Sequence, residues 1–209
     1  MDKSLAVVEK VSKGIVRVLG LNPGPFTLQG TNTYIVGTGL RRILVDTGDG
    51  LQPEYYPLLK QCLDNSRIGQ ILLTHWHGDH IGGVNRLLAM PDIVSGDCTV
   101  HKRFDKDTDE QPEVKRMLAG AVEHGRLRDI VDSQEFAADG GLLLRAVFTP
   151  GHTSDHCAFT VTGNGGGLML LTGDHILGQG TTIVHELRSY MKSLDRVLQI
   201  RPTALLPAH

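Results

Sequence analysis

The most informative segment of the chain is Thr74-His75-Trp76-His77-Gly78-Asp79-His80. It follows the apolar run Ile71–Leu73, which predicts a buried strand. Three histidines and an aspartate within six residues are hard to explain as ordinary core or surface side chains. In an extended loop, side chains two residues apart point to the same side, so His75 and His77 can bind one metal ion. Asp79 and His80 can reach a neighbouring position, so the loop predicts ligands for two ions.

The remaining ligands must come from elsewhere, and three segments share one pattern. In each, an apolar strand runs into a turn of small residues and then reaches a potential ligand: His152 after Phe148–Gly151, Asp174 after Leu171–Gly173, and His209 after Leu205–Ala208. Ligands at strand ends lie on a rigid scaffold at one rim of the sheets. Imidazole with carboxylate suits zinc, and manganese or iron is also possible.

Length and composition indicate a folded protein with one domain. The chain has 209 residues, of which 40% are hydrophobic and 21% charged, with a net charge of −2. These values exclude a disordered or collagen-like chain and argue against a dedicated nucleic-acid binder with a basic surface. Short apolar strands alternate with helical patterns along the sequence, which indicates an α/β or α+β layered fold.

The sequence also predicts an intracellular protein with no membrane partner. No run approaches the roughly 20 apolar residues of a membrane helix, and the N-terminus lacks a secretory signal. Cys62, Cys98 and Cys157 are widely spaced and odd in number, which is typical of a reducing compartment. The sequence does not indicate an oligomeric state.

Three further segments predict a helix, a charged segment and a hairpin turn. Apolar residues at helical spacing predict a helix over Ile183–Ile200 whose apolar stripe packs in the core. Ten charges within residues 102–116 indicate either a solvated loop or helix, or a flap beside an active site. The glycine-rich turn at 163–167 predicts a hairpin rather than a phosphate-binding loop, because it has no Gly-Lys-Ser/Thr.

The candidate ligands together resemble the metallo-β-lactamase superfamily, whose signature is HxHxDH followed by a distant His, Asp and His. The resemblance covers Val11 to His209 and implies a four-layer αβ/βα sandwich with the metal site at one edge of the sheets. It implies that Asp46, in Val45-Asp46-Thr47-Gly48, holds a ligand or the histidine loop in orientation. It implies two zinc ions, with His75, His77 and His152 on the first, Asp79, His80 and His209 on the second, and Asp174 bridging them.

Such a centre predicts hydrolysis without a Ser or Cys nucleophile. Two metal ions lower the pKa of a shared water, and the resulting hydroxide attacks a phosphorus or carbonyl centre. The candidate catalytic residues are Asp79, Asp174 and His156. His156 can donate a proton to the leaving group or simply hydrogen-bond the loop that carries it.

A narrower resemblance suggests the substrate. Four segments look like the β-lactamase-like protein 2 group: Asn22–Tyr34, Thr149–His156, Gly178–Thr182 and Tyr190–Leu194. Members of that group are metal-dependent endoribonucleases that act on single-stranded RNA in the mitochondrial matrix. Some fungal thioesterases that release polyketides from carrier proteins share much of the pattern. The alternatives are therefore a thioesterase of that type or of glyoxalase-II type acting on an acyl thioester, and an inactive or partner-binding fragment.

The chain departs from this group at two places. His175 follows Asp174 where a cysteine is expected, and we expect it to be an ordinary neighbour rather than an extra ligand. The family's last ligand is followed by glycine and a further segment, whereas this chain stops at His209. We therefore expect residues 1–209 to be a metallo-β-lactamase domain of a C-terminally truncated protein, with the second metal ion bound weakly.

Overall fold

The computed structural model describes residues 4–163 and 165–209, which form two β-sheets flanked by helices. The first sheet has seven strands in sequential order: β1 (Val8–Ser12), β2 (Ile15–Leu19), β3 (Asn32–Val36), β4 (Arg41–Val45), β5 (Arg67–Leu72), β6 (Val94–Lys102) and β7 (Leu127–Asp129). The helices of this half are α1 (Tyr55–Leu63), α2 (Gly78–Ile81), α3 (Val84–Leu88), α4 (Lys106–Asp109) and α5 (Pro112–Glu123).

The second sheet has five strands in the order β12-β11-β10-β9-β8. Its strands are β8 (Glu135–Ala138), β9 (Leu142–Phe148), β10 (Cys157–Gly163), β11 (Met169–Gly173) and β12 (Ala204–Pro207), and α6 (Leu187–Ile200) connects the last two. β10 and β11 pair antiparallel, which agrees with the predicted hairpin; Asn164, in its turn, lies outside the described residues.

Three hydrophobic clusters define the layers. Strand β4 contributes side chains to two of these clusters, because successive side chains of a strand point to opposite faces of the sheet. Leu44 packs with α1, α3 and α5 on the outer face, whereas Ile43 and Val45 face the second sheet. On the far side of that second sheet, Leu170 packs against Val197 of α6. The order of helices, sheet, sheet and helix confirms the expected four-layer sandwich.

Strand pairing brings the candidate ligands to one edge. β11 and β12 run parallel with Leu171 opposite Leu206, so Asp174 and His209 emerge from the same edge of the second sheet. β4 and β5 also run parallel, with Val45 opposite Leu72. Asp46 and the histidine loop therefore leave the first sheet side by side.

The expectation for the helix over Ile183–Ile200 was wrong in two respects. The helix begins at Leu187, because the Glu186 carboxylate caps it by accepting hydrogen bonds from two backbone amides, those of residues 188 and 189. Only part of its apolar stripe is core: Val197 is buried, whereas Leu187, Met191 and Leu198 are each more than half exposed. The face that meets the protein carries the polar residue Ser193 beside Val197.

A close backbone approach explains this helix orientation. A side chain on Gly151 would place its Cβ 2.5 Å from the Cα of Tyr190, and Gly151 has a φ of +137°. The Ser193 hydroxyl donates to the carbonyl of Pro150 at 2.8 Å. Small and polar residues therefore mark the contact with the loop after β9, and hydrophobic periodicity could not reveal it.

The charged segment 102–116 lies partly beside the candidate site and partly on a solvated helix. Lys102 ends β6 and is wholly buried, and Arg103 and Asp105 line a cavity beside the histidine loop. The charged residues of α5 are exposed. The first part therefore lies beside the candidate site, and the second is a solvated helix. None of the described helices is long and apolar enough to cross a membrane.

Candidate metal centre

Four side chains from three strand ends form the first ligand cluster. His75 and His77 follow β5, His152 follows β9 and Asp174 follows β11, and their ligand atoms lie within 4.8 Å of one another. His77 Nδ1 is 3.0 Å from His75 Nε2 and 3.2 Å from His152 Nε2. The histidine loop thus supplies two of the four potential ligands of this cluster.

The second cluster consists of Asp79, His80 and His209, again with ligand atoms within 4.8 Å of one another. Asp79 and His80 lie on the short helix α2, and His209 follows β12. Asp79 Oδ2 is 3.2 Å from His80 Nε2 and 3.3 Å from His209 Nε2. Winding the segment into α2 is what turns these two adjacent residues toward the second position.

Asp174 lies between the two clusters. Its Oδ2 atom is 3.5 Å from His152 Nε2, on the first side. Its Oδ1 atom is 3.4 Å from Nε2 of both His80 and His209, on the second side. One carboxylate therefore offers one oxygen to each cluster, which is the arrangement that a bridging ligand requires.

Hydrogen bonds orient the histidines with one nitrogen toward the centre. Nδ1 of His152 contacts the carbonyl of Ile183 at 2.8 Å, and Nδ1 of His75 contacts the Thr74 hydroxyl at 3.0 Å. Each therefore presents Nε2 to the cluster. In histidine metal ligands, the second nitrogen is usually fixed in this way.

The donor set fits divalent metal ions. Among the described residues, His80 Nε2 and Asp174 Oδ1 are buried and have no hydrogen-bond partner. Buried polar atoms without a partner are costly, and imidazole nitrogens with carboxylate oxygens suit zinc and related ions. The mixed ligands also resemble an open catalytic site more than a closed structural one.

Burial and charge set the protonation states of the side chains in the centre. Burial lowers the pKa of His75 well below its usual value and that of His77 to about 4, so both rings are neutral at pH 7. Burial opposes the charged form of His80, but the carboxylates around it, with Asp79 foremost, hold its pKa well above the usual value. The same contacts hold the pKa of Asp174 well below its usual value despite burial. The carboxylates therefore favour positive charge at His80, next to the second cluster.

Asp46 supports the centre from the first sheet. Its Oδ1 accepts a hydrogen bond from the Thr74 amide at 2.9 Å, and its Oδ2 accepts bonds from the Thr74 hydroxyl at 2.9 Å and His80 Nδ1 at 2.8 Å. Asp46 has a φ of +60°, which aims its side chain across the strand end. It holds both a ligand and the start of the histidine loop, the two roles that the resemblance implies.

His156 occupies a supporting position rather than a cavity wall. The Asp174 amide donates to His156 Nε2 at 3.1 Å, so Nδ1 carries the hydrogen and donates to the Thr149 hydroxyl at 2.8 Å. Its ring is wholly buried, and both nitrogens are engaged within the protein. This geometry favours hydrogen bonding of the loop over proton donation, because no nitrogen is left for a leaving group.

Two other side chains complete the surroundings. His175 packs its ring 4.8 Å from that of Tyr190 and belongs to neither cluster, so it is placed as a neighbour. Thr31, which sequence reasoning missed as a site residue, donates its hydroxyl to Asp79 Oδ2 at 2.9 Å. Thr31 lies 48 residues from Asp79, and no local pattern indicates that contact.

The centre opens into two cavities. The first has a volume of about 580 Å³ and lies beside Phe26 and His209. The second has a volume of about 520 Å³ and lies beside Trp76 and Arg103. His77 and the exposed His185 line both, so the cavities meet at the first ligand cluster.

Comparison with known proteins is consistent with this arrangement. The family model described as the metallo-beta-lactamase superfamily matches residues 26–209. A beta-lactamase domain protein from Burkholderia ambifaria has a similar fold, with a TM-score of 0.74 at 23% identity over 100% of this chain and 73% of that one.

Two curated relatives carry different names at the same identity. The Drosophila melanogaster beta-lactamase-like protein 2 homolog is 40% identical over 98% of this chain. The atrochrysone carboxyl ACP thioesterase nsrC of Aspergillus novofumigatus (strain IBT 16806) is 40% identical over 99% of this chain. The chain spans 67% of the length of the first relative and 57% of the second. Identity alone therefore does not separate the two names.

Proposed function

The chain belongs to the metallo-β-lactamase superfamily of hydrolases, and we propose that it is a metal-dependent endoribonuclease that cleaves single-stranded RNA. The observation that carries this proposal is the position of the ligand clusters where two open cavities meet. An internal cut requires the strand to extend on both sides of the scissile bond. The resemblance of the chain to the β-lactamase-like protein 2 group supports the same substrate, and by that resemblance we propose the mitochondrial matrix as its location.

The chain's own residues would bind and orient the reacting groups. We propose two zinc ions, with manganese or iron as alternatives, which would supply an activated water and stabilise charge on phosphoryl oxygens. Asp46 fixes the ring of His80, and His156 fixes the backbone of Asp174. These contacts keep the ligands in place through the reaction, so little reorganisation accompanies the chemical step.

An exposed aromatic ring supports a single-stranded substrate. Phe26 lines the first cavity and is 77% exposed. Its loop is held in place, because the Thr27 hydroxyl donates to the carbonyl of Asn22 at 2.6 Å and the carbonyl of Thr27 contacts His209 Nδ1 at 3.3 Å. An exposed ring on a loop that is held in this way can stack with an unpaired base, whereas a paired base is already stacked in its duplex.

A thioesterase is the second candidate. The Aspergillus relative bears that name, and the first cavity is lined partly by Phe26, Leu28 and Ile183, which could hold an acyl chain. The same centre could hydrolyse a carbonyl substrate, because the chemistry that the metal ions supply is not specific for phosphorus.

One panel of substrates tests the proposal. Zinc- or manganese-loaded protein is incubated with single-stranded RNA, duplex RNA, an acyl thioester and a lactam, with and without chelator. We expect cleavage of single-stranded RNA that is lost with chelator and is at least about tenfold slower on the duplex, since stacking contributes about 1–3 kcal/mol per base. Rapid thioester turnover without RNA cleavage would transfer the function to the second candidate. No turnover at all would favour an inactive or partner-binding fragment.

His77→Ala should abolish hydrolysis while leaving the fold largely intact. His77 is a ligand in the histidine loop and belongs to none of the hydrophobic clusters. Turnover is measured with the substrate that the panel identifies. Circular dichroism measures whether the variant is folded. His124→Ala is the matched control, because His124 is exposed at the end of α5. Equal turnover by His77→Ala and the wild type would refute the assignment of the centre.

A further inference from the structure

The second cavity contains a basic group that the metal centre does not use. Its walls come from the end of β6, the loop after β9 and the start of α6, and they include Arg103, Ser154 and Ser189. It shares His77 with the metal centre. A group bound in this cavity therefore lies next to whatever is bound at the first ligand cluster.

Arg103 is held in place but left without an anionic partner. Its Cζ atom lies 4.2 Å from the centroid of the Phe148 ring, a cation–π contact that holds the guanidinium beside that ring. Its Nη1 atom is buried and has no hydrogen-bond partner among the described residues. By contrast, Arg145 and Arg196 are paired with carboxylates. A buried, unpaired guanidinium nitrogen is costly unless a ligand accepts its hydrogen bond.

The two acidic side chains of the cavity are already engaged. The Asp105 carboxylate accepts hydrogen bonds from the amides of Asp107 and Thr108. The Glu186 carboxylate caps α6 in the same manner. Neither forms an ion pair with Arg103 within the described part of the chain. Both oxygens of Glu186 and Oδ1 of Asp105 accept from backbone amides, and Arg103 is the cationic group available to an anion.

We propose that Arg103 binds a backbone phosphate of the RNA strand adjacent to the phosphate that is cleaved. This inference rests on the proposed function, and it makes the second cavity the path of the strand away from the metal centre. Guanidinium matches phosphate geometry with two parallel hydrogen bonds, and a repeating backbone presents a second phosphate beside the first. A phosphate contact of this kind positions the strand without reading its sequence.

The test compares Arg103→Met with Arg116→Met in the metal-loaded protein. Arg116 is an exposed arginine on α5 outside both cavities, so it controls for the loss of one positive charge. Cleavage of a short single-stranded RNA is measured over a series of salt concentrations. For Arg103→Met we expect KM to rise about 10- to 100-fold with kcat little changed, as loss of a charged hydrogen bond implies. The slope of log(kcat/KM) against log salt should shrink by about 0.7, the value for one phosphate contact on a single strand.

The Arg103→Lys variant separates the effect of the positive charge from that of the guanidinium geometry. It also tests the proposal if the Arg103→Met variant fails to fold. It should raise KM while keeping the salt slope of the wild type, because lysine retains the charge but loses the planar double contact. An Arg103→Met enzyme that behaves like Arg116→Met would overturn the phosphate site while leaving the RNA function standing. An Arg103→Lys enzyme with the KM of the wild type, beside an Arg103→Met enzyme with a raised KM, would support the phosphate site and overturn only the double hydrogen bond. A wild-type protein that cleaves no RNA overturns both proposals. If Arg103→Met instead raises the KM for an acyl thioester, the site would be reassigned to a phosphate group on the carrier of that thioester.

Discussion

Asp174→Ala should release the metal ions of both clusters together and reduce hydrolysis by about a thousandfold or more. The reason is geometric: Oδ2 of Asp174 faces His152 of the first cluster, while Oδ1 faces His80 and His209 of the second. Removing one side chain therefore takes a ligand from each shell. It also removes negative charge that holds a cation in a buried site.

Elemental analysis of the purified variant, together with its turnover, measures this effect. Asp195→Ala is the matched control, because Asp195 is an exposed carboxylate on α6 that belongs to neither cluster. Circular dichroism establishes that the variant is folded. Full retention of metal by Asp174→Ala would show that Asp174 is not the bridge, and loss from one cluster alone would assign it to that cluster.

The sequence predicted the parts of the site that depend on local spacing. The histidine loop follows a strand, and the geometry of an extended loop explains why His75 and His77 share one cluster. The assignment of His152, Asp174 and His209 to particular clusters came from the family resemblance, since spacing within a strand end cannot specify its partners.

Tertiary contacts explain what local patterns could not predict. The stripe on α6 indicated a helix correctly, but which face meets the sheet depends on Gly151 and Ser193, whose roles involve backbone contact rather than hydrophobicity. Lys102 lies in a run of charges that looks solvated, yet it is wholly buried. Its partner Asp155 is 53 positions further along the chain, and no local pattern indicates that pairing.

Lys102→Met should lower the free energy of unfolding by about 3–5 kcal/mol, which is the usual cost of removing one partner of a buried ion pair. Lys102 Nζ lies 2.9 Å from Asp155 Oδ2 and 2.6 Å from Asp109 Oδ1. Lys102 and Asp155 are both wholly buried, so the substitution leaves a carboxylate without its counter-charge. Urea unfolding at a fixed metal concentration measures the loss. Lys115→Met is the control, since its pair with Glu110 is exposed and should contribute no more than about 1 kcal/mol.

The stability that Lys102→Met loses should also depend on pH. Burial raises the pKa of Asp155 even though Lys102 opposes that shift, and removing Lys102 raises it further. The folded variant then keeps a proton that the unfolded chain releases above about pH 4, the ordinary carboxyl value. Its stability relative to the wild type should therefore fall as the pH rises above that value, and the deficit should be smaller at pH 5 than at pH 8. A deficit that is equal at both values would mean that Asp155 finds another counter-charge.

The double variant Lys102→Met with Asp155→Leu separates the cost of an unpaired charge from the cost of lost packing. Replacing both partners removes the buried carboxylate, and exchanging a buried pair for apolar side chains is often neutral. We therefore expect the double variant to regain most of the stability that Lys102→Met loses, and to lose its pH dependence. Asp155 lies three residues after His152, in the loop that carries that ligand. Recovery of both stability and metal content would show that apolar side chains can hold this loop as well as the ion pair does. Recovery of stability without recovery of metal content would show that the pair itself sets the position of His152.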